Sequence, residues 1–467
     1  MKRTILLFTA VLLLSMASAF AQGGTTGPLT WKINNGTLTI SGEGAMPDYY
    51  KLGDAPWYEH RLSIISILVE NGITSIGNCA FYNFRNLTAV TLSNTVISIG
   101  EWAFRNCKSL PSITIPNGTI SIKGDAFYSC EALSSVFISK SVTSIAVSAF
   151  HSCSTLLSIE VNSENQSYTS ENGVLFNKDK TILIRFPQGK GGEYSVPNSV
   201  KTIGYESFYF CGNLTSVTVP NSVTTIEFSA FLVCSNLISI AIPNSVASIG
   251  ANAFYNCNNL TSIALPNKLT DIEEATFANC ASLTSITIPN NVTSIGGLAF
   301  SSCRSLTSIT ILGSVTSFGY QSLACRSLKK ITNLNPVPVN ISNSVFYDVN
   351  QGACTLEVPM NSVSAYQEAN VWKNFNIVGI DVGIEPLEAD IVKIYPNPTT
   401  GELRVESGEL RVENVEVFDI YGRKHEGTKA RKDESTKEIN ISGLPAGIYF
   451  IKISTENGIF VEKIIKN

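Results

Sequence analysis

The sequence predicts a mainly β protein with short turns and helical pieces: a solenoid of stacked 23-residue coils, followed by a small antiparallel β-sandwich. Three observations predict it. Cys211, Cys234, Cys257, Cys280 and Cys303 recur every 23 residues; Cys107, Cys130 and Cys153 keep the same step, with Phe84 one step earlier. Apolar columns run at the same period, among them Phe104, Phe127, Phe150, Phe208, Phe231, Phe254, Phe277 and Phe300. Finally, residues 198–333 carry 11 charged side chains in 136 positions, whereas residues 391–467 carry 24 in 77, which marks a boundary between two kinds of structure.

The chain opens on MKRTILLFTAVLLLSMASAFAQ, a basic start, an apolar run and small residues, the layout of a secretory signal peptide over 1–21 with cleavage after Ala21. An uncleaved anchor is the alternative, and the run is short for a bilayer span. No spanning segment is expected in the mature chain. Residues 22–61 read as an N-terminal cap, 62–333 as the coil array, 334–380 as a closing cap and 381–390 as a linker. Within each coil, LxxIxIP alternates inward and outward and is rich in β-branched residues, so it is a short strand. The Pro-Asn that follows, as in Pro243-Asn244, turns the chain. One coil cannot bury its own apolar side, but stacked copies bury a continuous core. Ten positions from Phe84 to Cys325 then give an array roughly 50 Å long at the usual strand spacing.

An insertion at about 162–197 reads as a β-hairpin, VLF–NKDKT–ILIRF, protruding from the array. A cysteine that recurs once per coil and is replaceable by Phe behaves as a small buried hydrophobe. Stacked neighbours lie close enough to bridge, so scattered disulfides stay open as a second reading.

The line LxxIxIPxxVxxIGxxAFxxC resembles the BspA-like class of bacterial leucine-rich repeats over residues 62–333, which implies a right-handed leucine-rich repeat solenoid. Trp31, Gly42, Met46, Pro47 and Pro56-Trp57-Tyr58 resemble that family's N-terminal cap. Val358-Pro359, Tyr366 and Trp372-Lys373-Asn374-Phe375 resemble its closing element. Caps are physically required, because end coils otherwise expose core and strand edges.

Residues 391–467 carry short alternating strands between Gly, Pro and Asn turns, the pattern of a small antiparallel sandwich. Tyr395-Pro396-Asn397-Pro398, Asp419-Ile420-Tyr421-Gly422-Arg423, Leu444-Pro445-Ala446-Gly447-Ile448-Tyr449 and Lys463-Ile464-Ile465-Lys466 resemble the type A C-terminal sorting domain of the type IX (Por) secretion system. That resemblance implies a Sec signal peptide, passage through the outer membrane, the type IX machinery as a partner, and a cell-surface or secreted location. An adhesive sandwich module is the alternative.

Side chains for chemistry are sparse. His60, His151 and His425 are scattered over cap, array and C-terminal domain, and His151 reads as a surface turn residue. Asp271, Glu273 and Glu274 read as a solvated turn, and Gly189-Lys190-Gly191-Gly192 as a loop without P-loop spacing. No catalytic residue, metal site or cofactor is expected. A net charge of −4 gives no reason to expect nucleic acid as a partner.

What remains is surface. The outward strand positions Thr91, Thr114, Phe137, Thr218, Thr287 and Thr310, with Ser216, Ser239, Ser262 and Ser285 beside the core residues, form a flat, nearly uncharged face of hydroxyls and methyls. Such a face accepts an extended glycan or protein through many weak contacts, and it is also what a soluble solenoid needs for itself. The family resemblance implies adhesion, with extracellular proteins or glycans of a host or of neighbouring bacteria as partners. Two other classes stay open: a secreted hydrolase with an unrecognised site, and a structural envelope protein.

Overall fold

The computed structural model describes residues 22–50, 53–313, 315–381, 393–395, 399–406, 412–419, 423–425, 431–432, 436–455 and 458–467. The expected leader, most of the linker, and Pro396, Asn397, Pro398 and Gly422 lie outside the described residues. Contacts divide the chain into two units, one running through residue 332 together with 339–354, the other made of 333–338 with 355–467.

Coils in the first unit bind one another along three stretches. The first is the expected strand: Ser135–Ile138 lies parallel to Ser112–Thr114 and Ser158–Val161, with Ser135 opposite both Ser112 and Ser158. One 23-residue step is therefore one rung, so columns in the text are columns in space. Alternation does the sorting: Val136 and Ile138 are buried while Phe137 between them is exposed. The second stretch is a two-residue strand, a few residues beyond the turn expected at the Pro-Asn pair, that the text does not announce. Ser98–Ile99, Ser121–Ile122 and Ser144–Ile145 pair in parallel, as do Thr225–Ile226 and Ser248–Ile249.

The third stretch is a ladder without strands. Trp102, Phe104 and Asn106 donate their N–H groups to Gly124, Ala126 and Tyr128 of the next coil, at 3.2, 2.7 and 2.8 Å. The alternate residues Ala103, Arg105 and Cys107 donate backwards within their own coil. This alternation needs left-handed backbone at two positions per coil, φ 59° at Trp102 and 62° at Asn106. Asparagine tolerates that region; Val233, held at φ 59°, does not, and stores strain.

Inside, the phenylalanine rings stack in register. Phe231 and Phe254 have centroids 5.2 Å apart with planes 3° from parallel, and Phe254 and Phe277 repeat this at 5.4 Å and 2°. The cysteine column has a hydrogen-bonding reason beyond its size. Cys130, Cys234, Cys257 and Cys280 each donate Sγ–H to the carbonyl of the ladder phenylalanine 26 residues earlier, at 3.2, 3.1, 3.3 and 3.2 Å. Cys325, one residue early in the text, reaches Phe300 O at 3.0 Å, so the deletion is absorbed without losing the link. A thiol is a weak donor that still occupies an apolar slot. The ten cysteines from Cys79 to Cys325 are free thiols, and burial pushes the Cys257 thiol up to about 12, which keeps it protonated.

The insertion is where the text misleads. Val174–Asn177 and Ile182–Arg185 do pair antiparallel, but the hairpin does not protrude. Val174, Leu175, Phe176, Leu183 and Phe186 are buried. Ile182–Arg185 continues into the two-residue ladder beside Thr202–Ile203, Gly192–Ser195 starts a strand beside Leu214–Thr218, and Phe186 joins the ring stack at 5.0 Å from Phe208. The insertion is a coil of its own, because its apolar residues find the same interior as every other coil's.

At the start, the antiparallel strands Gln22–Thr26, Leu29–Asn34 and Thr37–Gly42 end in parallel pairing with Ser66–Val69. Trp57 covers the first ring of the stack, 5.8 Å from Phe81, and donates Nε1–H to Ala80 O. In the second unit, Thr355–Pro359 and Asn376–Ile380 pair in parallel around the short helix Val363–Glu368. The buried Tyr366 hydroxyl there donates to Asn335 O and accepts from Asn333 Nδ2. The C-terminal residues form two four-stranded antiparallel sheets that enclose Leu403, Val405, Val417, Ile439, Ile451, Ile453 and Ile464. Tyr395 ends the strand Lys393–Tyr395, Gly447 begins Gly447–Thr455, and Lys463 and Lys466 lie on Gly458–Lys466.

Candidate functional site

The ten outward residues that the sequence singles out are all exposed or half-buried in the structure. Ser216 lies opposite Ser239, Ser285 opposite Ser308, Thr287 opposite Thr310, and Phe137 opposite Thr114. Hydroxyls thus fall into rows across the strands. Ser262 is the exception in backbone: residues 259–265 form no strand, and the flanking rungs Thr261 N–H to Ile238 O and Thr284 N–H to Thr261 O are long, 3.2 and 3.4 Å.

The face is not uniformly flat. Ala89–Leu92 ends one sheet and Ser112–Thr114 begins another. At this break lies a depression of about 380 Å³, lined by Val90, Thr91, Leu92, Asn94, Thr114, Ile115, Pro116, Asn117 and Phe137. It contains three of the ten residues expected from the sequence. The others of its lining were not foreseen; the signal was Pro111, standing where the neighbouring coils have Thr88 and Ser134. Thr88 and Ser134 donate N–H to the preceding coil, at Ile65 O and Pro111 O, both 2.9 Å. Proline has no N–H to give. Just below, the coils press close: a Cβ on Gly118 would sit 1.7 Å from Asn94 O, so only glycine fits there.

Charged and aromatic side chains gather instead on the turn ladder. The residues after Phe81, Phe104, Phe127, Phe150 and Phe208 are Tyr82, Arg105, Tyr128, His151 and Tyr209. The Arg105 guanidinium lies over the rings of Trp102 and Tyr128, 4.6 and 4.1 Å from their centroids, and pairs with Asp125 at 2.9 Å. His151 is buried, 6% exposed, and stacks on Tyr209 at 4.3 Å; it is not the surface turn residue expected from the text. Its neighbour in space comes from 58 residues later, across the inserted coil. Burial and the nearby Arg185 lower its imidazole to about 3.

Among the described residues no group of three or more His, Cys, Asp and Glu is placed to hold a metal. Asp271 instead accepts from the Ser294 and Thr270 hydroxyls. No helix among the described residues is long and apolar enough to cross a membrane.

Comparison with known proteins agrees with this architecture. Residues 53–179, 191–303 and 247–368 match the BspA type leucine rich repeat region, in six copies that together cover more than half the chain. Residues 393–467 match the secretion system C-terminal sorting domain. A leucine-rich repeat protein from Eubacterium ventriosum is similar in structure, with a TM-score of 0.54 and 27% identity over 79% of this chain and 99% of that one. The pneumococcal vaccine antigen PcpA shares the fold, with a TM-score of 0.50 and 19% identity over 78% of this chain and 99% of that one. No curated protein matches the chain. These families are repeat and sorting families, and no catalytic family is indicated. The tail marks the chain for handling by the type IX machinery and for export to the cell surface or the medium. The chain belongs to the BspA-type leucine-rich repeat proteins and carries a C-terminal secretion sorting domain.

Proposed function

We propose that this exported repeat protein is a non-catalytic binding module that adheres to extracellular macromolecules of a host or of neighbouring bacteria through its strand face. The observation that carries the reading is the chemistry of that face: rows of hydroxyls and methyls, almost without charge, interrupted by a depression at Thr91, Thr114 and Phe137. A face of this kind gains affinity by adding many weak contacts along an extended partner. The catalytic alternative has less support, because the strongly perturbed titratable groups of the array are interior thiols and the Tyr194 phenol, all held protonated by burial, and one buried imidazole. The location of the ten surface residues and of the sorting residues Tyr395, Gly447, Lys463 and Lys466 makes them the positions to test.

The decisive experiment measures adhesion of the full chain to immobilised matrix proteins, mucin and bacterial cells, beside a variant carrying Thr218→Glu, Thr287→Glu and Thr310→Glu. Adhesion that falls at least tenfold in the variant, with unchanged circular dichroism, is the expected result. Undiminished adhesion would reject the strand face as the binding surface.

A further inference from the structure

We propose that the gap beside Pro111 is a socket for one aliphatic side chain of an extended, uncharged peptide. The inference rests on the strand-face reading and narrows it to a place and a ligand class. Its first support is covalent. Pro111 removes one rung between Ala89–Leu92 and Ser112–Thr114, and these two strands belong to separate sheets. The second is burial. Val90 and Leu92 are half-buried, whereas their counterparts one and two coils on, Ile113, Ile115, Val136 and Ile138, are 3% exposed or less. The opened rung therefore leaves part of two members of the core column, Val90 and Leu92, facing solvent.

The third support is the lining. Val90 and Leu92, backed by the buried Ile115 and Pro116, give the depression an aliphatic patch within an otherwise polar lining, Phe137 stands 39% exposed beside it, and no lining residue is charged. A volume of about 380 Å³ lies in the range of small-ligand sites. Around the opening sit Thr91, Thr114, Asn94 and Asn117, hydroxyls and amides of the kind that pair with peptide N–H and C=O groups. Asn94 is already held in place, its Oδ1 accepting the Asn117 N–H at 3.0 Å. An aliphatic side chain with main chain on both sides matches this layout: apolar at the centre, neutral hydrogen-bonding groups around it. A sugar ring matches it less well, since it offers only its C–H faces to the aliphatic patch, whereas a leucine side chain is apolar on every side. A charged side chain would find no counter-ion.

The test uses the full chain and the probe acetyl-Ser-Thr-Leu-Thr-Ser-amide with a fluorinated leucine, read by fluorine NMR line broadening. A second probe has alanine in place of leucine, and cellohexaose serves as the neutral glycan. Broadening of the leucine probe is expected, at least fivefold weaker binding of the alanine probe, and little binding of cellohexaose. Pro111→Thr restores the N–H and the residue type of the neighbouring coils, so it should close the gap. It is expected to weaken the leucine probe at least fivefold and to slow hydrogen exchange at the amides of residues 112–114. Thr114→Arg, which crowds the opening, should weaken the probe without altering those amides.

Absent broadening, equal binding of leucine and alanine probes, preference for cellohexaose, or full binding by Pro111→Thr with slowed exchange each overturns the socket. Adhesion lost in the triple glutamate variant while the probe still binds leaves the socket intact; adhesion intact while Pro111→Thr keeps the probe removes the socket alone.

Discussion

Two junctions between coils, 231–277 and 150–208, use the same fold and differ in how their polar groups are satisfied. In the regular junction, rings lie 5.2 and 5.4 Å apart and nearly parallel, Phe254 N–H meets Thr276 O at 2.8 Å, and Cys257 and Cys280 donate to the coil before. Translation does the accounting, because one satisfied coil satisfies every copy. The insertion breaks the 23-residue step, and there His151, Arg185 and Ser207 are buried together. Arg185 Nη1 donates to Glu206 O at 2.9 Å, while its Nε and Nη2 have no partner among the described residues. His151 Nε2 lies 3.3 Å from Glu206 Oε2. Loss of register has to be made good residue by residue, and here it is made good in part.

The largest test of this contrast is Phe254→Ala in the regular junction. Opening the ring stack should cost about 3–5 kcal/mol, seen as a lowered melting temperature of the array. A loss under about 1 kcal/mol would mean the rings are not the principal support. The next effect belongs to acid. Burial and Arg185 hold His151 neutral to about pH 3 in the folded chain, whereas the unfolded chain takes up a proton below about pH 6.5. The unfolded state therefore binds more protons between these values, and stability is lost as pH falls through them, by about 2 kcal/mol at pH 5. Glu206, raised by burial, acts in the opposite sense in its own range. His151→Tyr, the residue type of Tyr128 and Tyr209 in the same column, should remove most of the loss between pH 7 and 5. An unchanged pH profile in that variant would place the acid sensitivity elsewhere.

Smaller effects sharpen the same contrast. Val233→Asn relieves a β-branched residue from left-handed backbone and should add about 1 kcal/mol, read as a higher melting temperature. Arg185→Met exchanges two unpartnered donors for an apolar stem of similar length, and stability should change by less than about 1 kcal/mol. A loss above about 3 kcal/mol would show that the guanidinium has partners of real strength.

The columns were legible because translation is legible: Phe231, Phe254 and Phe277 sit on one another since they are written 23 apart. The repeat family and the C-terminal sorting domain were legible for a related reason, as local patterns with fixed spacing. What escaped depends on partners the text does not place side by side. The Ser-Ile strands are two residues long, too short for an alternation signal. The turn ladder is hinted at by Asn83, Asn106, Asn256 and Asn279, but Phe210 and Val233 occupy the same left-handed position, as Leu298 does the other one, and hide the rule. His151 looked exposed because Tyr209 lies 58 residues away and the inserted coil could not be aligned with the rest. Of the candidate site, the outward threonines were readable; the depression was not, since it comes from a hydrogen that Pro111 lacks.

The link from a ladder cysteine thiol to the aromatic carbonyl of the coil before reaches one coil back and no further. Nothing in that contact depends on how many coils exist. A whole copy can therefore be gained or lost by unequal recombination without a new interior being invented, and each such event lengthens or shortens the exposed wall by one strand width. For an exported protein, reach becomes an inheritable count of coils.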